Sequence, residues 1–311
     1  MLPASERKVV LVTRRTRLEE LLARHHTREQ ARFYVEHLGA DFEDYEREHE
    51  TYQAASREVV EVLRGHGRYQ VLDRRFTPNF LFGPKDVVMA LGQDGLVANT
   101  MKYLDGQPLV GVNPDRARWD GVLLPFAPRD VAGLLPKVLT DAYASRAVTM
   151  ARAGLTNGQS LHAVNDLFIG PKSHTSARYE IALGARHEVQ SSSGVIVSTG
   201  LGSTGWMRSV VTGALAVAGF AVGSRIETEF QGRPWEDDSL EFAVREPFPS
   251  RSSAATVLCG RIEQGEQLVM TSLMAEGGVI FSDGIEADFL EFNAGARVEI
   301  TVAARRGRLV V

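Results

Sequence analysis

The sequence predicts an α/β domain followed by a mainly antiparallel β domain. In the first half of the 311-residue chain, apolar runs typical of buried strands alternate with charged, helix-favouring segments. This alternation indicates a parallel sheet with crossover helices. In the second half the apolar runs are short, frequent and separated by turn residues. We therefore expect a first domain over residues 1–146 and a second over residues 147–311.

The first half supplies four strand candidates and several helices. The strands are predicted at residues 8–13, 69–76, 86–92 and 108–113. A charged helical region from 16 to 65 has breaks near Thr27 and residues 39–41, where turn-forming residues occur. Further helices are predicted at 96–104 and 128–145. The run at 86–92 is nearly all apolar, which indicates a strand covered on both faces.

The second half is predicted to be mostly strands. Its one good helix spans roughly residues 206–218. The predicted strands are 147–153, 160–170, 177–183, 194–199, 240–244, 267–273, 278–281 and 297–302.

Composition excludes several classes of protein. With 44% hydrophobic residues, 24% charged residues and a net charge of −4, the chain is typical of globular domains and lacks the basic character of nucleic-acid binders. The single cysteine, Cys259, cannot form an intrachain disulfide, and no Cys/His spacing resembles a zinc site. We find no signal-like N-terminus and no run of about 18 apolar residues, so we expect a cytoplasmic protein without a membrane partner.

The turn at residues 92–95 is the clearest chemical feature. Gly92, Gln93, Asp94 and Gly95 follow an apolar strand and precede a helix, and ligands of open α/β folds bind at such strand ends. The two glycines let backbone N–H groups approach phosphate oxygens. Asp94 could accept the proton of an attacking hydroxyl or help to hold Mg²⁺. The alternative is a tight turn with a helix-capping Asp.

A second glycine-rich turn follows the strand at 194–199. Gly200, Gly202 and Gly205 satisfy the dinucleotide fingerprint of oxidoreductases. However, the stretch after the helix, at 224–230, is too charged for a central parallel strand, so we expect no βαβ unit here. The turn could still bind a nucleotide, because Ser203 and Thr204 offer hydroxyls and Trp206 offers a stacking face.

Asn165 and Asp166 are two adjacent polar residues inside an apolar run. Buried polar groups need partners, and an amide beside a carboxylate suits the two hydroxyls of a ribose. The alternative is a structural bulge with internal partners. We interpret Asp283 and Gly284 as a structural acidic turn, and the pair His25-His26 as surface or packing residues.

Taken in this order, the motifs resemble those of the NAD kinase family. That family has a Gly-Gly-Asp-Gly-Thr turn, an Asn-Glu pair, a Thr-Gly-Ser-Thr-Ala-Tyr turn and a later Asp-Gly. The counterparts here are residues 92–96, Asn165-Asp166, residues 201–206 and Asp283-Gly284. Longer stretches are similar to the mitochondrial-type branch, at residues 22–26, 111–115, 165–170 and 191–194.

The resemblance implies a Rossmann-like nucleotide-binding domain followed by a β-sandwich domain. It implies transfer of the ATP γ-phosphoryl group to the 2′-hydroxyl of the adenosine ribose of NAD, with Mg²⁺ held mainly through the triphosphate. Asp94 would be the base, flanked by Gly92, Gln93 and Gly95 in the nucleotide site. Asn165 and Asp166 would hold the nicotinamide-side ribose. The remaining nucleotide-binding residues would be Gly202, Ser203, Thr204 and Trp206, and the protein would form a homodimer or homotetramer.

Departures from the family pattern keep other functions open. Gln93 replaces a glycine, Leu96 replaces a threonine and Trp206 replaces a tyrosine. A kinase acting on NADH, on a sugar or on a nucleoside is one alternative. A nucleotide-binding sensor without turnover is another, and the donor could be polyphosphate.

Overall fold

The computed structural model describes residues 7–228 and 230–311, and the chain divides into two compact units. One unit runs to Arg146 and also includes Arg308–Val311, whereas the other is Ala147–Gly307. The last four residues thus return to the first unit, although the sequence prediction placed them in the second domain. The predicted lack of a signal at the N-terminus concerns residues that lie partly outside the described ones.

The first unit contains a parallel sheet with the strand order β2-β1-β3-β4. Its strands are β1 (Val9–Thr13), β2 (Tyr69–Asp73), β3 (Val87–Leu91) and β4 (Pro108–Val112). Every residue of β3 and β4 is buried, as expected for strands covered on both faces. The chain end adds a further parallel partner, because Arg308 and Leu309 pair with the start of β4.

Five helices surround this sheet: α1 (Arg17–His25), α2 (Arg28–His37), α3 (Phe42–His66), α4 (Asp94–Met101) and α5 (Val131–Leu139). The predicted breaks in the long helical region are confirmed, because Thr27 caps α2 and Asp41 caps α3. One face of α3 packs against β1 and β3 in the core through Tyr52, Val59 and Leu63. The helix predicted at 128–145 is shorter, and α5 ends at Leu139.

The second unit is built from antiparallel strands in two sheets. One sheet has the order β12-β11-β10-β7-β14-β15, and in the other β16 connects β5 and β6 to β13, β8 and β9. The strands are β5 (Ser145–Leu155), β6 (Ser160–Ala163), β7 (Asp166–Pro171), β8 (Ala177–Leu183), β9 (Arg186–Ser192), β10 (Val195–Ser198), β11 (Ser239–Val244), β12 (Cys259–Glu263), β13 (Leu268–Ser272), β14 (Gly278–Ser282), β15 (Ile285–Glu291) and β16 (Arg297–Val310). Buried side chains from both sheets form one hydrophobic cluster.

The helix of the second unit, α6 (Trp206–Val222), packs only its first turns on a sheet. Met207 is buried against Phe168 and Ile196, whereas Val217 and Phe220 are 69% and 91% exposed. Together with the preceding turn it forms a segment that is long and apolar enough to cross a membrane. One helix of this kind is weak evidence for a membrane, and the expectation of a protein without a membrane partner stays a prediction.

Candidate active site

The turn that follows β3 is fixed to the neighbouring strand at one end and open at the other. The N–H of Gly92 donates to the carbonyl of Val112 at 3.1 Å, which fixes the turn to the next strand. A Cβ at position 92 would lie 2.8 Å from Cδ2 of Leu96, so a larger residue there would require the Leu96 side chain to move. At Gly95 a Cβ would meet no atom within 4 Å. The side-chain position of Gly95 is therefore open, at the carboxyl end of a central strand.

Asp94 begins α4 and is held through one of its two oxygens. Its Oδ1 accepts a hydrogen bond from the N–H of Leu123 at 2.6 Å. The loop that supplies this N–H lies close against β4, because Gly111 has no side chain and a Cβ there would lie 1.9 Å from the carbonyl oxygen of Leu123. Among the described residues, Oδ2 of the half-buried Asp94 has no hydrogen-bond partner. One carboxylate oxygen is thus oriented and available.

The neighbours of Asp94 differ in what they can offer a ligand. Gln93 is the N-cap of α4, but its side chain makes no capping hydrogen bond. Leu96 is only 4% exposed and packs into the core. Its apolar side chain therefore points away from solvent and offers a ligand no hydrogen-bonding group.

Arginines collect at the carboxyl ends of β1 and β4. Arg14, directly after β1, donates to Glu48 at 2.9 Å, and Arg17 also donates to Glu48. Although burial opposes it, these hydrogen bonds from Arg17 and Arg14 hold the pKa of Glu48 below its usual range. Asp44 is bound in the same way by Arg118 and Arg17, which lower its pKa further. These carboxylates stay charged and keep the guanidinium groups in place.

In the second unit, Asp283 fixes the Asn165-Asp166 segment. Its carboxylate accepts backbone N–H groups from Val164 at 3.1 Å, Asn165 at 2.7 Å and Asp166 at 3.3 Å. Asp283 also donates its own N–H to the carbonyl of Asp166 at 3.0 Å and has a φ of 53°. Asn165 lies in the break between β6 and β7, and Asp166 is the first residue of β7.

The side chains of Asn165 and Asp166 remain available for a ligand. The amide of half-buried Asn165 makes no hydrogen bond with any described residue, and neither does the carboxyl group of Asp166, which is 8% exposed. Burial and then the charge of Asp283 raise the pKa of Asp166 to about 7. Near neutral pH this carboxyl group can therefore either donate or accept a hydrogen bond.

The glycine-rich turn at 200–205 packs directly against this segment. A Cβ on Gly202 would lie 2.0 Å from the carbonyl oxygen of Asn165. The hydroxyl of Thr199 accepts the N–H of Gly202 at 3.1 Å and donates to the carbonyl of Val164 at 2.6 Å. Close packing and hydrogen bonds thus join the two predicted motifs of the second unit.

The polar groups of this turn have different surroundings. Ser203 is fully buried, and its hydroxyl donates to the carbonyl of Gly200 at 2.6 Å and accepts the N–H of Arg233 at 2.9 Å. Thr204 is exposed. Trp206 is half-buried and stacks on Phe168, with ring centroids 5.7 Å apart. Ser203 is therefore occupied in the scaffold, while Thr204 and Trp206 still present surface to a ligand.

The dinucleotide fingerprint does not occur in a βαβ unit. β10, which leads into the turn, is antiparallel to both of its neighbours, β7 and β11. The prediction against an oxidoreductase fold at this place is therefore confirmed.

Several residues that matter to these sites were not singled out from the sequence. Arg14, Arg15 and Thr199 could have been noticed, because each follows a buried strand. The clamping role of Asp283 had no local signal, since its contacts are more than a hundred positions away. Among the described residues, no three His, Cys, Asp or Glu side chains form a metal-binding group. Cys259 is exposed.

The first unit, a parallel sheet with helices, and the second, with antiparallel strands in two sheets, make up a mixed α/β and β fold. The solved structure of yeast NADH kinase, complexed with NADH, is similar to this chain with a TM-score of 0.60 and 12% sequence identity. The match covers 98% of this chain and 83% of the yeast chain. No protein-family model and no curated protein sequence matches the chain. The likeness therefore shows a shared fold.

Proposed function

We propose that the protein is an NAD(H) kinase that transfers the γ-phosphoryl group of ATP to the 2′-hydroxyl of the adenosine ribose of NAD or NADH. The observation that carries the proposal is the state of Asp94, which is oriented through Oδ1 and keeps Oδ2 without a partner among the described residues. A base must be held in position and still have an open lone pair, and Asp94 meets both conditions.

In this proposal Asp94 accepts the proton of the 2′-hydroxyl as its oxygen bonds to the γ-phosphorus. The bond from the γ-phosphorus to the bridging oxygen breaks, and ADP leaves. A sugar hydroxyl is a weak nucleophile, so alignment and neutralisation of charge supply most of the rate. The open side-chain position of Gly95 and the neighbouring arginines suit that role, and the first unit serves as the Rossmann-like nucleotide-binding domain.

Asn165 and Asp166 bind the ribose on the nicotinamide side of the substrate. The amide of Asn165 can donate and accept, and Asp166 with a pKa of about 7 can do either. Both side chains lie on a segment whose backbone is clamped by Asp283. Such rigid support lowers the entropy lost on binding. Thr204 and Trp206 line the nucleotide pocket.

The residues present fit a magnesium ion that arrives with its nucleotide. Mg²⁺ prefers oxygen ligands, keeps several waters and is commonly bound through phosphates and one or two carboxylates. Because no group of three acidic or histidine side chains occurs among the described residues, the triphosphate supplies most of the ligands. The ion supplies charge neutralisation at the transferring phosphoryl group. The homodimer or homotetramer and the cytoplasmic location remain predictions.

The test is an end-point assay with purified protein, ATP, Mg²⁺ and either NAD or NADH. NADP or NADPH is then detected with an NADP-specific dehydrogenase. We expect product from the wild type and a loss of about 10²–10⁴-fold in kcat for Asp94→Asn, as is typical when a general base is removed. The matched control is Asp105→Asn, which removes a carboxylate from an exposed loop just after α4 and should leave kcat unchanged.

The remaining outcomes separate the alternatives. A wild-type protein that forms no NADP(H), although NAD raises its melting temperature, is a sensor and contradicts the kinase. If NAD neither reacts nor binds, the acceptor is tested among sugars and nucleosides. The buried Leu96 and the side chain of Gln93 are the features that favour such a change of acceptor.

A further inference from the structure

A pocket of about 590 Å³ lies at the carboxyl ends of β1 and β2, between α1 and α3. Its polar lining has three arginines and two carboxylates, and the members are Thr13, Arg14, Arg15, Glu19, Tyr52, Gln53, Ser56, Asp73 and Arg75. The oxygens of Glu19 already accept hydrogen bonds from the N–H of Thr16 and from Gln53. Binding sites for small molecules have volumes of roughly 300–1,000 Å³. The pocket is thus large enough for a chain of phosphate groups.

Two of the three arginines are committed to carboxylates. Arg14 donates to Glu48 at 2.9 Å, and Arg75 donates two hydrogen bonds to Asp73, at 2.9 and 2.8 Å. The hydrogen bond from Arg75 and the nearby charge of Arg15 both lower the pKa of Asp73. Asp73 is therefore already a charged and satisfied partner of Arg75.

Arg15 is the arginine without a partner. Its half-buried guanidinium group makes no hydrogen bond or ion pair with any residue that the structure describes. The neighbouring Arg14 has a side chain that is 7% exposed, and its Nε is buried with no acceptor among the described residues. The half-buried charge of Arg15 and the buried N–H of Arg14 both cost free energy unless an anion pairs with them.

The place of the pocket in the sheet also favours a ligand. From β1 the chain continues to β2 on one side, and from β2 it crosses to β3 on the other side. The switch point itself lies between β1 and β3, and the pocket lies next to it, at the ends of β1 and β2. Ligands of open α/β sheets bind outside the carboxyl ends of the strands. Moreover, Cδ of Arg14 lies 3.6 Å from the position that a Cβ on Gly92 would take. Arg14 thus adjoins the glycine-rich turn after β3.

We infer that Arg15, with the Nε of Arg14, binds an oligophosphate chain in this pocket. A planar guanidinium group can make two parallel hydrogen bonds to phosphate oxygens, which a lysine cannot do. The inference rests on the proposed function in one respect: it takes the bound phosphate groups to be those of the donor nucleoside triphosphate. Free oligophosphate has the same chemistry at this site.

The test measures binding to the full chain by titration calorimetry, without NAD, so that no turnover occurs. The probes are tripolyphosphate and ATP, and the proteins are the wild type, Arg15→Ala, Arg15→Lys and Arg24→Ala. Arg24 is an exposed arginine of α1 outside the pocket, so its variant controls for the loss of one positive charge. Arg15→Gln repeats the test with a long polar side chain if Arg15→Ala does not fold.

We expect Arg15→Ala to weaken both probes at least about tenfold, Arg15→Lys to weaken them less, and Arg24→Ala to leave them unchanged. Dependence on Arg15 for ATP but not for tripolyphosphate identifies a nucleotide as the ligand, whereas dependence for both shows that the phosphate chain suffices. Affinities that are equal in the wild type and Arg15→Ala overturn the inference.

The outcome also separates this site from the kinase proposal. If oligophosphate binding depends on Arg15 but the protein forms no NADP(H), the proposed kinase activity is refuted and the proposed oligophosphate site still stands. Conversely, if the protein forms NADP(H) and Arg15→Ala does not change the KM for ATP, the proposed oligophosphate site is refuted and the proposed kinase activity still stands.

Discussion

The two glycine-rich turns of the molecule use their residues in opposite ways. In the turn after β3, Gly95 faces open space and Asp94 keeps one oxygen without a partner. In the turn after β10, Gly202 is pressed against a backbone carbonyl and Ser203 is buried with its hydroxyl bonded on both sides. Similar compositions thus produce an open turn in the first unit and a packed one in the second.

The difference shows that a glycine-rich turn can either present groups to a ligand or stabilise the backbone next to it. The packed turn holds the Asn165-Asp166 segment from one side, and Asp283 holds it from the other. Its value to the proposed function lies in rigidity, because a site on well-supported backbone loses less entropy on binding. The open turn offers backbone and carboxylate groups directly.

The largest expected effect comes from adding one methyl group to each turn. Gly202→Ala places a Cβ 2.0 Å from the carbonyl oxygen of Asn165, which should cost about 3 kcal/mol or more of unfolding free energy, because backbone must move. Gly95→Ala should change stability by less than about 1 kcal/mol, since nothing is within reach. Urea unfolding of both variants measures this. Equal stabilities would show that the two turns are packed alike.

The next prediction compares two carboxylates, Asp283 in the second unit and Asp94 in the first. Asp283→Asn turns an acceptor of three N–H groups into a side chain with one acceptor and should cost about 1–3 kcal/mol. Asp94→Asn keeps an oxygen for its single N–H partner and should cost less than about 1 kcal/mol. Chemical unfolding of the pair tests the difference. A larger loss of unfolding free energy for Asp94→Asn than for Asp283→Asn would contradict the view that Asp283 supports the structure and Asp94 is free to act in the reaction.

A third prediction concerns pH. The pKa of Asp166 is raised to about 7, whereas an unfolded Asp titrates near about 4. Between these values the folded state binds more protons than the unfolded state, so this group makes the protein less stable as pH rises. Asp166→Asn removes the effect. The stability of this variant relative to the wild type should increase with pH by up to about 1.4 kcal/mol per unit between pH 4 and 7.

Unfolding curves for both proteins at several pH values give this difference directly. Taking the difference cancels the opposite contributions of salt-bridged acids such as Glu48, whose pKa is lowered. A difference that is flat or decreases with pH would mean that the pKa of Asp166 is not raised in the folded protein.

The smallest expected effect is that of Gln93→Gly. The side chain of Gln93 makes no capping hydrogen bond, and glycine is acceptable at an N-cap, so stability should change by less than about 1 kcal/mol. Removing the side chain gives phosphate closer access to backbone N–H groups, and we expect the KM for ATP to fall a few-fold. Steady-state kinetics test this, and a higher KM would show that Gln93 itself contacts the donor.

Much of the fold could be predicted because local patterns determined it. The all-apolar runs of β3 and β4 indicated strands covered on both faces, and the Thr27 and Asp41 caps marked the starts of α2 and α3. The strand β9 was missed, because it begins with Arg, His and Glu and lacks an apolar run. The return of residues 308–311 to the first unit has no local signal either.

The candidate sites could be located from the sequence, but their internal roles could not. The position of Asp94 between two glycines after a buried strand was sufficient to single it out. That Ser203 is bonded inside the scaffold depends on Arg233, thirty positions later, and that Asp283 clamps Asn165 depends on a still longer contact. Hydrogen bonds between distant segments follow from tertiary packing, which no local pattern records.

The parallel sheet of the first unit includes residues from the end of β16. During synthesis these residues are made long after the other strands of the sheet. Arg308 and Leu309 pair with the start of β4, and Val310 is fully buried in the core of the first unit. A chain that leaves the ribosome in order exposes the apolar edge of β4 until the whole second unit has been made. Unpaired edges of this kind promote aggregation, and late closure across a long loop is slow. The Asp94 turn therefore acquires its complete sheet only among the last events of folding.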